Sequence, residues 1–128
     1  MQIMNLALGL GLSAAIANLL VAALARNLFP VPPDFRPFMP FPILAACLGG
    51  ALGAAGGFGL LQRTSRNPRR TLIVVSMAVL LGSFVFPVWF LKSNGSGVGA
   101  EIILTLMLMH AILAWLSVRA LLRLAPKS

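Results

Sequence analysis

Four long apolar stretches, at residues 6–25, 43–61, 72–91 and 102–122, decide most of what this chain can become. Each is close to the 20 or so residues that an α-helix needs to cross the hydrocarbon core of a bilayer. Inside lipid the backbone must satisfy its own hydrogen bonds, and a single apolar run does so only as a helix. Strands of a membrane barrel would alternate apolar and polar residues over about 10 positions. These runs do not alternate. The expected fold is therefore all-α: one integral membrane four-helix bundle over residues 1–128.

Charge supports the same reading. Only 9% of the residues are charged, against about 25% in a soluble domain, so a water-soluble fold could not cover its surface. The net charge of +8 comes from ten Lys and Arg against Asp34 and Glu101. These cations flank the apolar runs, which points to lipid headgroups rather than to nucleic acid. The chain has no Tyr and no basic–aromatic interleaving of the kind that marks a nucleic-acid surface. The single Cys47 cannot form an internal disulfide.

The first run competes with a signal peptide, because Ala23, Leu24 and Ala25 resemble a cleavage site. Residues 1–5 carry no Lys or Arg, however, and the run is long for a signal sequence, so a retained helix is expected. Residues 26–42 contain six prolines among four phenylalanines, at positions 29, 35, 38 and 41. The prolines argue against a regular helix there. The phenylalanines argue for a loop that lies on the membrane interface or caps the bundle. Pro42 suits the first turn of the following helix. Pro87 is expected to kink or loosen the end of the third helix. A short turn is expected at 93–97.

Four spans place both termini and the 62–71 loop on one side. That side holds Arg63, Arg66, Arg69, Arg70, Arg119, Arg123 and Lys127, whereas Arg26, Arg36 and Lys92 lie on the other. The positive-inside rule then puts the termini and the 62–71 loop in the cytoplasm and the 26–42 loop outside. Arg119 and Arg123 are expected to snorkel to the headgroups.

Few residues could carry chemistry. His110 lies deep in the fourth run, where an ionisable group is a functional candidate by default. It could ligate a haem or chlorophyll-type pigment, meet a quinone, or relay a proton. The plainer alternative is a neutral imidazole bonded to a neighbouring helix. A bis-His haem would need a second His, and Met107 and Met109 are better read as filler. Glu101 is half a turn out of phase with His110 and about 13 Å away along the axis, so the two cannot couple. It is expected to be solvated or paired with Lys92 or an outer-loop Arg. Gly49, Gly53 and Gly57 form a four-residue repeat where another helix, within the chain or from a partner, could approach closely, or on which a lipid or pigment tail could lie. Asn18 is expected to bond across helices, and a contact with His110 is one possibility. Ser76, Ser83 and Thr105 complete the polar groups that could line a path. Nucleophile elbows, zinc spacings, phosphate loops and carboxylate pairs are missing from the sequence.

Asn18 in the first run, the stretch from Gly49 and Gly50 to Gly57, and Leu106 to His110 together resemble a family of small bacterial four-helix membrane proteins known only as a domain of unknown function. The resemblance spans most of the chain. It implies a four-helix fold in a bacterial cytoplasmic membrane and no known activity. Small multidrug transporters match less well, since the first run lacks their embedded carboxylate. Small fluoride channels carry a similar glycine stretch nearer their N-terminus and a polar break in the third helix that residues 72–91 lack.

The leading expectation is a non-enzymatic membrane subunit that packs against partner chains, in an energy-transducing or photosynthetic assembly. Its rivals are a pigment- or cofactor-binding redox protein using His110, and a small oligomeric transporter or channel. The orientation is testable at once. A cysteine placed at Arg66 should react with an impermeant thiol reagent only after the membrane is opened, and labelling of intact cells would reverse the assignment.

Overall fold

The computed structural model describes residues 2–94 and 99–125, apart from the side chains of Phe86 and of residues 90–94. It contains four helices, α1 (Gln2–Leu28), α2 (Pro40–Thr64), α3 (Pro68–Asn94) and α4 (Ala100–Leu124). All four are long and apolar enough to cross a membrane.

Each helix outruns its apolar stretch, because a backbone hydrogen-bond ladder need not stop where hydropathy falls. At the end of α1, Asn27 Nδ2 donates to the Ala23 carbonyl at 3.0 Å. α2 begins at Pro40, so the non-helical part of the proline-rich segment is shorter than expected. Pro40 and Pro42 both sit in the first turn, where a missing N–H breaks no helical bond. Between α1 and α2 a 3-10 turn (Arg36–Phe38) brings Phe35 and Phe38 together edge to face, 5.1 Å between centroids. Both rings are buried against Ala25, Ile43 and Ile102, so this loop caps one end of the bundle. At the other end Asn67 Oδ1 accepts from the Arg70 amide at 3.2 Å and caps the start of α3. α3 continues through Pro87, which is buried and leaves the Ser83 carbonyl without its usual donor. Of the turn expected at 93–97, Ser93 and Asn94 belong to α3; the rest lies outside the described residues.

The helices are packed unevenly. α1 lies along α2 and also along α4, whereas α3 rests mainly on α4 and touches α2 little. α3 is also the least buried of the four. The tight seam runs down α1, whose buried face is Ala7, Gly11, Ala14, Ala15, Asn18, Ala22 and Ala25. Small residues let two backbones approach, and dispersion between close backbones drives helix association in lipid. At Gly11 an added Cβ would stand 3.0 Å from the Leu48 Cα of α2.

The contacts within the chain therefore fall away from the glycine repeat singled out in α2. The buried face of α2 is Ile43, Cys47, Ala51, Ala55 and Phe58. Gly49, Gly53 and Gly57 lie on the other side, and a Cβ at any of them meets nothing within 4 Å. The repeat has the right spacing for close packing but no helix of this chain fills it. Gly50 is the glycine of α2 that does make room, for Leu113 of α4, whose Cδ2 would be 2.7 Å from an added Cβ.

Gly11→Leu should lower the midpoint of thermal unfolding in detergent, with a loss of about 1–3 kcal/mol from overpacking. Gly9→Leu, on an open face of the same helix, should leave it nearly unchanged. Equal midpoints would show that α1 and α2 are not seated this closely.

Candidate functional site

The weak contact between α2 and α3 leaves a cavity of about 580 Å³ between α2, α3 and α4. This is within the usual range for small-molecule sites, about 300–1,000 Å³. Its walls run from Leu61, Leu72 and Leu121 near the 62–71 loop to Gly50, Ser83 and His110 deeper in. At 1.5 Å per residue the cavity is about 17 Å long. Gly53 and Gly57 open its α2 wall, since neither presents a side chain. The stripe from sequence is thus, in two of its three glycines, part of a cavity wall. Gly49 does not line it.

The lining is apolar except for Ser76, Ser83, His110 and Ser117. Ser83 is satisfied by its own helix, donating to the Leu80 carbonyl at 2.7 Å. Ser117 differs: it is 4% exposed and its Oγ has no hydrogen-bond partner among the described residues. A buried hydroxyl left unbonded costs about 1–3 kcal/mol. Sequence reading missed Ser117, because a lone serine in an apolar helix looks like filler.

His110 stands at the deep end. Its Nδ1 is 2.7 Å from the Leu106 carbonyl one turn earlier. A carbonyl can only accept, so Nδ1 carries the proton of this bond. In the neutral ring the lone pair then lies on Nε2, available to a donor or a metal. The expected bond to a neighbouring helix is thus replaced by one within α4.

Asn18 and His110 do not meet. Asn18 lies in the seam between α1, α2 and α4, where Nδ2 is 3.3 Å from both Cys47 Sγ and the Met109 carbonyl. It does tie three helices together, through different partners from the one suggested. Its Oδ1 is buried without a partner among the described residues. Met109 is buried in the same seam and Met107 borders a shallow groove with Trp89 and Phe84 on the other side. Neither methionine lines the cavity, so neither joins His110 there as a second axial ligand. Thr105 bonds back to the Glu101 carbonyl at 2.7 Å rather than facing a path. Among the described residues no three His, Cys, Asp or Glu side chains gather around a point.

Six of the eight arginines crowd one end, and Arg26 and Arg36 lie at the other. Arg63, Arg66 and Arg70 are exposed around the 62–71 loop and Arg69 is half-buried. Arg119 folds over the exposed Trp115 ring, 5.0 Å from its centroid, and Arg123 is exposed one turn further on. Asp34 precedes α2 and Glu101 lies in the first turn of α4, so both described carboxylate side chains are at the opposite end. Lys127 and the side chain of Lys92 lie outside the described residues, and with them the expected pairing of Glu101 with Lys92.

Compared with known families, residues 3–127, nearly the whole chain, match a family of unknown function. The chain belongs to the family of unknown function DUF6069. No curated protein and no solved structure matches it. The match covers all four helices and every residue that lines the cavity between α2, α3 and α4, and the membership agrees with the resemblance carried by Asn18, Gly49 to Gly57 and His110.

Asn18→Ala should destabilise the chain in micelles by about 0.6–1.7 kcal/mol, the range for bonds between membrane helices. A denaturant titration measures this. An unchanged midpoint would mean that the three-helix tie carries no stability.

Proposed function

We propose that this DUF6069 chain is a small non-enzymatic membrane protein that holds an apolar-chain molecule within the bilayer, in the cavity between α2, α3 and α4. The observation that carries this is a cavity of about 580 Å³ whose walls are almost wholly apolar and which Gly53 and Gly57 leave open by presenting no side chain. The arginine distribution supports a cytoplasmic-membrane orientation with both termini and the 62–71 loop inside.

The haem, quinone and pigment versions of this reading run through His110. With Nδ1 held by Leu106, neutral Nε2 suits a hydroxyl head or a metal centre and not a bare carbonyl. A second reading, a subunit packed against partner chains, is favoured by the open small-residue face at Gly49 and Gly56, where an added Cβ meets nothing.

Native mass spectrometry of the gently extracted chain should show a retained organic mass. Gly57→Leu, which fills the cavity without a clash at its Cβ, should remove most of it at an unchanged unfolding midpoint. A visible absorption band lost in His110→Ala would select the pigment or haem version. Bare chain in the wild type, or equal retention in Gly57→Leu, would overturn the cavity reading. Stable retention of a second protein in that same spectrum would favour the subunit reading.

A further inference from the structure

The cavity has a length, a polar level and a charged end, and together these describe an occupant. We propose that it seats one acyl chain of an anionic membrane lipid, drawn from the leaflet that carries the 62–71 loop, with the headgroup on Arg69. This deepens the cavity reading and does not depend on His110.

Length is the first argument. The hydrocarbon core is about 30 Å thick, so one leaflet is about 15 Å. The cavity, about 17 Å long, starts at the helix ends beside the 62–71 loop and stops near mid-membrane, at the level of Ser83 and His110. A transmembrane helix from a second copy would need a groove of full bilayer depth. A chain from a single leaflet fits the depth present.

Charge is the second. On α3 the lining residues Leu72, Ser76, Val79 and Ser83 form one stripe. Arg69 continues that stripe one turn beyond Leu72. It is half-buried, and it has neither an ion-pair nor a hydrogen-bond partner among the described residues. Arg70 occupies a different face and is exposed. The first turn of α3 holds no acidic residue, so the positive end of the helix dipole adds to the same potential. Both described acidic side chains lie at the far end of the bundle.

The third argument is the placement of the polar groups. Counted inward from Leu72 on α3 and from Leu121 on α4, Ser76 and Ser117 fall on the same level, about 6 Å in. Neither has a hydrogen-bond partner among the described residues. With a phosphate on Arg69, the lipid's ester carbonyls would descend to this level. A carbonyl oxygen there accepts from the hydroxyl of Ser76, which is half-buried on the α3 wall. Below it the walls are Gly53, Val79, Leu113 and Ala114, which suit a hydrocarbon tail.

The test uses the purified full-length chain, delipidated in detergent and titrated with phosphatidylglycerol or phosphatidylcholine of identical acyl chains, with retained lipid read by native mass spectrometry. Phosphatidylglycerol should bind at least about fivefold more tightly, and Arg69→Ala should erase that preference while Arg70→Ala keeps most of it. Ser76→Ala should weaken retention of both lipids while leaving the preference for phosphatidylglycerol in place. Gly57→Leu should expel both. If the two lipids bind equally and Gly57→Leu still expels them, the headgroup assignment is wrong and the cavity reading stands. If Gly57→Leu changes nothing, both fail.

Discussion

The close seating of α1 against α2 and α4 is the constraint from which the rest of this structure follows. Its seam is built from alanines, one glycine and a single amide, Asn18, that reaches α2 and α4 together. Without a hydrophobic driving force between helices in lipid, association depends on backbone proximity and on bonds of this kind. Three helices meet in that seam. The fourth, α3, has no place in it and lies against α4. The cavity is what remains between α3 and the glycine-bearing side of α2.

The four spans were legible because hydropathy reports directly on length and solvent, and here each run nearly matches a bilayer. Their ends were less so. Pro40 and Pro42 look like helix breakers by composition, yet at the first turn their missing donors have no bond to break. The seam was misplaced for a related reason. Gly49, Gly53 and Gly57 have the regular spacing that invites a packing assignment, while Ala7, Gly11, Ala15, Asn18, Ala22 and Ala25 mix spacings of three and four. Spacing identifies a smooth face; only the neighbours identify which smooth face is used.

At the candidate site the sequence named His110 and Asn18 but not their settings. Polarity in an apolar run flags a residue without saying whether its partner lies on its own helix or across the bundle. His110 turned to its own helix and Asn18 to two others. Ser117 carried no signal at all, because a serine normally bonds its own helix, as Ser83 does. Its importance comes from that bond being absent.

The outer side of α1 presents Leu8, Leu12, Ile16, Leu20 and Leu24 in an inclined ridge, all exposed, while the buried side is nearly all alanine. Apart from Asn18 neither face is polar, and the outer one is the more hydrophobic. What separates inside from outside in this helix is chiefly bulk, with the large apolar side chains outside, the reverse of the rule for a protein in water. A hydropathy profile would therefore read Ala14→Leu as silent, although it would place a large side chain in the tightest seam of the molecule. In such a chain the information that specifies the fold is written in side-chain volume. Comparison of DUF6069 sequences by size at each position of α1 would then recover its buried face as the side where residues stay small.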